Sequence, residues 1–243
     1  LDIAREPRWS RVEETFGEDP YLTGCLGTAF VQGMQGDDIK DGAHVYSTLK
    51  HLAAYGVPRG GHNGNPADIG MRALLNEYLP GFRQAVEEGK AATVMTSYNS
   101  IDGIPCTSNS FLIDSLLRKQ WGFEGFVYSD LASIDGVAET HHVAVDLQDA
   151  AVQSVKAGTD MDLGAKSYST LVKAVKDGEI EEEYIDRAVA NVLRLKFQMG
   201  LFENPYVSPE RARQVVNCDE HKQLARQVAK EGTVLLKNNG LLP

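Results

Sequence analysis

The stretch Gly125-Phe126-Val127-Tyr128-Ser129-Asp130 decides the fold class. A short, β-prone apolar run that breaks off in polar residues reads as a buried strand carrying side chains to its C-terminal end. Four further runs share that character, at residues 1–4, 45–49, 92–98 and 157–163, so that with 126–130 about five strands are expected. Longer segments of helical periodicity lie between them, and this alternation is the signature of an α/β chain with a parallel sheet.

The helical segments carry their own signals. Asp19-Pro20 supplies a cap and a first-turn proline ahead of a helix over 21–34, and Gly122 follows a helix that ends near Gln120. Over 71–88, Leu74, Leu75, Leu79, Phe82 and Val86 share one face, with Pro80 expected to kink or interrupt the helix. Beyond residue 163 the pattern is helical only, at 168–177 and 182–200. Pro205, Pro209 and the charged residues 210–213 then read as a linker, followed by a helix over 221–234. The expected organisation is therefore a main domain over 1–203, a linker over 204–219, and the first helix of a further α/β domain over 220–243.

The chain has 243 residues, near the roughly 250 of a complete (β/α)8 barrel. Such a barrel needs about eight parallel strands. Five strands leave two expectations, an open doubly wound sheet or the later part of a larger barrel. No G-x-G-x-x-G follows a strand and no G-x-x-x-x-G-K-[ST] occurs, so the usual nucleotide signals of an open sheet are missing. The 34 acidic and 24 basic side chains give a net charge of −10 without a Lys/Arg run, which makes nucleic acid and anionic membranes poor partners. No apolar run approaches the roughly 18 residues of a membrane span. Cys25, Cys106 and Cys218 are far apart, and neither they nor the histidines repeat at ligand spacing, so no metal is expected.

Active sites of parallel α/β folds lie at the C-terminal ends of the strands. The first run leads to Arg5, Arg8 and Arg11, the second to Lys50-His51, the third to Tyr98-Asn99, the fourth to Asp130 and the fifth to Asp160-Met161-Asp162. One carboxylate among Lys, His, Arg and Tyr suits an anionic nucleophile beside donors for a hydroxyl-rich ligand.

The ordered motifs Arg5-Glu6-Pro7-Arg8-Trp9-Ser10-Arg11, Glu14 through Pro20, Lys50-His51, Met95 through Asn99, Trp121 through Gly125 and Tyr128-Ser129-Asp130 closely resemble glycoside hydrolase family 3. The resemblance runs from Leu1 to Asn238. It implies a partial (β/α)8 barrel leading into an α/β sandwich, and a retaining enzyme that releases β-linked glucose through a covalent glycosyl-enzyme on Asp130. It further implies that Arg11, Lys50, His51 and Tyr98 hold the sugar, while Met95, Leu131, His141 and His142 are candidates to line the pocket. Glu14, Glu18 and Asp19 are read as supporting the arginines and capping the next helix. No cofactor is implied, the partner is a β-linked oligosaccharide or glucoside, a homo-oligomer is left open, and a periplasmic or extracellular place is expected.

Three departures qualify the resemblance. Leu131 stands where many members carry a tryptophan that walls the sugar site. The segment after Lys50-His51 lacks the loop of the β-N-acetylglucosaminidase branch, so His62 reads as a loop residue and hexosamine substrates rank below glucosides and xylosides. The second carboxyl of retaining catalysis is expected from outside these residues. A non-catalytic carbohydrate-binding module is the competing class.

Overall fold

The computed structural model of the chain describes residues 1–164 and 166–242. Ala165 and Pro243, which the expected main domain and following domain include, lie outside them. The chain divides into one compact unit, Leu1–Glu203, and a second that begins at Asn204.

In the first unit, α1 (Pro20–Gln35) precedes β1 (Thr48–Leu52). Next come the single turn α2 (Met71–Ala73), a wider π-type winding over Leu74–Tyr78 and α3 (Pro80–Glu87). β2 (Thr93–Thr96) is followed by the hairpin strands β3 (Ser100–Ile101) and β4 (Ile104–Pro105), then by a π-type helix over Phe111–Gln120. β5 (Phe126–Tyr128) leads to α4 (Asp135–Glu139), α5 (Leu147–Ala157), α6 (Leu171–Lys176) and α7 (Glu182–Gln198). The main sheet has the order β1-β2-β5 and is parallel throughout, with Leu49 beside Val94 and Val94 beside Val127. Met161 adds a single parallel bridge to Tyr128 on the next position outward.

Local chemistry accounts for these boundaries. The Asp19 carboxylate accepts from the Leu22 N–H and Pro20 opens α1, as the sequence signals. Asp146 caps α5 in the same way, and Gly158 at φ 110° ends it. The expected helix over 71–88 is broken just before Pro80, whose ring nitrogen has no hydrogen to donate back along the helix. The sheet buries Leu49, Leu52, Val94 and Val127 against Leu74, Leu79 and Phe82 on one segment and Ile113, Leu117 and Trp121 on another. A second apolar cluster joins Ala151 and Val155 of α5 to Leu171, Ala174 and Ala188.

Several expectations are corrected. Residues 1–4 form no strand: Asp2 and Ile3 are buried, but the Ala4 and Arg5 N–H groups bond to the carbonyls of Gly17 and Gly56 in loops. The strand expected at 45–49 begins at Thr48 and runs through the charged Lys50 and the buried His51, because neighbouring strands supply pairing that local propensity does not report. The expected strand at 157–163 reduces to Met161, since α5 extends to Ala157. The segment expected as a linker, 204–219, contains α8 (Pro209–Val215) and the start of α9 (Asp219–Gly232). There Ser208 accepts from the Arg211 N–H and Pro209 occupies the first helical turn, so that proline starts a helix.

Candidate active site

Because β1, β2 and β5 run the same way, their C-terminal ends share one edge of the sheet. His51 lies within β1, Tyr98 two residues beyond β2, and Asp130 two residues beyond β5. His51 is 1% exposed and Asp130 8%. The His51 Nε2 is 3.4 Å from Asp130 Oδ2 and 3.2 Å from an Arg11 guanidinium nitrogen. A second Arg11 nitrogen is 4.0 Å from the same Asp130 oxygen.

The Asp130 carboxylate is held at one end and free at the other. Oδ1 accepts from the Leu131 N–H at 2.7 Å, whereas Oδ2 is buried without a hydrogen bond in the structure. The turn carrying it is tied down by the Ser129 N–H to the Met161 carbonyl, by the Leu163 N–H to Ser129 Oγ, and by the Ser133 N–H to the Asp130 carbonyl. Arg11 is fixed by a two-pronged bond to Glu14 at 2.6 and 2.7 Å. Lys50 Nζ donates to Glu14 as well, at 3.2 Å. Hydrogen bonds from Arg11 first, and from Lys50, lower the Glu14 carboxyl to about 2. Burial, then the charge of Asp130, raises the Tyr98 hydroxyl well above its ordinary range. That hydroxyl donates to the Leu131 carbonyl at 3.0 Å.

Among the pocket candidates, His141 binds the Tyr98 carbonyl through Nε2 at 2.8 Å and helps line a cavity of about 320 Å³ beside Tyr98, together with Asn63, Gly64 and Thr140. Leu131 is 58% exposed next to the carboxylate. Met95 is half-buried on β2, in register with Tyr128. His142 is exposed and bonds the Ala138 carbonyl, and His62 is exposed in its loop.

Two members of the cluster escaped the sequence reading. Tyr55, fully buried, accepts from Arg11 at 3.2 Å and meets the His51 and Trp9 rings edge-on, with centroids 4.8 and 5.0 Å apart. Asp2, also buried, pairs with His51 Nδ1 at 2.8 Å. A carboxylate set between Leu1 and Ile3 was the available signal for Asp2, because a charge in an apolar run needs a partner. Tyr55 carried no such mark.

Residues 1–195 match the model of the glycosyl hydrolase family 3 N terminal domain. The chain belongs to glycoside hydrolase family 3. Within that family it is 39% identical to a periplasmic beta-glucosidase of Salmonella typhimurium, over 98% of this chain and 32% of the relative. It is equally 39% identical to a putative beta-xylosidase of Formosa agariphila, over 100% of this chain and 32% of the relative. A beta-glucosidase of Listeria innocua, solved in complex with isofagomine, superposes with a TM-score of 0.95 at 37% identity, covering 100% of this chain and 35% of that one. The family 3 chain thus spans about a third of the length of these relatives.

Proposed function

We propose that this chain carries the nucleophile of a retaining β-glycosidase that releases glucose from β-glucosides, with Asp130 attacking the anomeric carbon. The observation that carries this reading is the unbonded, buried Oδ2 of Asp130, facing Arg11 and His51 while Oδ1 is anchored by the Leu131 N–H. A nucleophilic oxygen is best left free of donors that would compete with the forming C–O bond. In this reading Arg11, Lys50, His51 and Tyr98 offer donors and acceptors to sugar hydroxyls, Arg11 and His51 beside that oxygen and Lys50 beside Glu14, and contacts that tighten as the ring flattens lower the barrier. Asp2 and Glu14 are already engaged, by His51 and by Arg11 with Lys50. The proton donor, about 5 to 5.5 Å from the nucleophile in a retaining site, is assigned to the rest of the protein.

Residues 1–203 are read as the later part of a (β/α)8 barrel, leading through 204–219 into an α/β sandwich. The strand order β1-β2-β5, continued by Met161, supports a singly wound sheet without reversal. No helix among the described residues is long and apolar enough to cross a membrane. The Salmonella relative is named periplasmic, which supports an exported enzyme. The Formosa relative makes β-xylosides the second substrate reading.

Full-length protein treated with 2,4-dinitrophenyl 2-deoxy-2-fluoro-β-glucoside is expected to carry the fluorosugar on Asp130. Peptide mass mapping that finds it elsewhere overturns the assignment. Asp130→Ala is expected to lower kcat on aryl β-glucosides by roughly a thousandfold or more, with azide restoring turnover. Glucose binding by calorimetry without any turnover favours a binding module instead.

A further inference from the structure

The hydrogen-bond inventory around Arg11 and His51 constrains a proton position. A guanidinium has five N–H donors and no acceptor. Arg11 directs Nε and one hydrogen of a terminal nitrogen at Glu14, and a hydrogen of the other terminal nitrogen at Tyr55. The nitrogen bound to Glu14 also lies 3.2 Å from His51 Nε2. For that contact to be a hydrogen bond, Nε2 must be the acceptor and carry no proton. On the far side of the ring, Asp2 Oδ2 is 2.8 Å from Nδ1, and Asp2 Oδ1 accepts from the His51 backbone N–H at 3.3 Å. Asp2 therefore grips both the ring and the backbone of His51 inside the core, where an acceptor at Nδ1 selects the tautomer protonated there.

We propose that Asp2 is a positioning residue that holds the His51 proton on Nδ1, so that Nε2 accepts from Arg11 and leaves Asp130 Oδ2 free of hydrogen bonds. The opposite tautomer would aim an Nε2 hydrogen at Arg11 and at Asp130 Oδ2, 3.4 Å away. It would loosen the arginine and give the nucleophile a donor to shed before attack. Asp2→Asn permits that tautomer, because an amide nitrogen can donate to Nδ1.

The kinetic part of this inference rests on Asp130 being the nucleophile, whereas the proton position does not. The experiment reads both on full-length protein. Ring ¹⁵N signals of His51, assigned by their loss in His51→Gln, are expected to show the proton on Nδ1 in the parent and a shift toward Nε2 in Asp2→Asn. Asp2→Asn is expected to slow labelling by the 2-fluoro-glucoside roughly 10- to 100-fold, while in a His51→Gln background it slows labelling no further. A parent proton on Nε2 overturns the proposal without any variant. So does an Asp2→Asn effect of equal size with and without His51. A parent that is unlabelled at Asp130 but protonated on Nδ1 overturns the nucleophile assignment and leaves the Asp2–His51 pairing standing.

Discussion

Glu14 receives two hydrogen bonds from Arg11 and one from Lys50, and its carboxyl falls to about 2 from an ordinary 4.5. A depressed carboxyl pKa contributes stability that is full above the unfolded value and disappears as pH drops through the folded one. The Tm difference between the full-length parent and Glu14→Gln is therefore expected to stay constant above about pH 5 and to shrink as pH falls toward about 2. A difference that widens on acidification would contradict the pairing. Arg11, Lys50, His51, Tyr98 and Asp130 stood out at this scale because each ends or follows a β-prone run, and the family resemblance attached sugar-holding roles to the first four and the nucleophile's role to Asp130. Asp2 and Tyr55 did not, because the contacts that place them, Asp2 with His51 and Tyr55 with Arg11, span 49 and 44 residues of sequence.

β5 can lie flush against β2 because Gly125 precedes it. A Cβ there would sit 1.8 Å from the Ala92 carbonyl oxygen and 2.7 Å from its carbon, both backbone atoms that cannot swing aside. Gly125→Ala is accordingly expected to destabilise full-length protein by about 3 kcal/mol or more, the upper range of overpacking, measurable by urea unfolding. It should also impair the site, since the same strand delivers Asp130. Gly122, at φ 69°, by contrast has open space about it. Helices were read with more success than strands: the caps at Asp19 and the break at Pro80 are local chemistry. Three expected strands keep their place with limits shifted by up to three residues, whereas 1–4 forms none and 157–163 reduces to Met161, because pairing partners set strand limits. α5 carried no expected range, and its last residue falls in an expected strand.

At the scale of the molecule, α1 buries Thr23, Gly24, Gly27, Thr28 and Val31, yet Leu22, Leu26, Phe30 and Met34 on its other side are exposed. Exposed apolar side chains along one helix face mark an interaction site or an aggregation liability, and the relatives are about three times as long. The isolated 243-residue chain is expected to bind the dye ANS and to self-associate in sedimentation, and the full-length protein to do neither; equal dye binding by both would refute this. The α/β class, the helix signals and the family itself were written in the sequence, because caps, proline breaks and ordered motifs act over a few residues. Which strands pair, and that the Asp130 oxygen stands unbonded between Arg11 and a histidine gripped by Asp2, was decided only by the tertiary structure. Pairing and burial depend on groups far apart in the chain, and no local pattern records the distance between them.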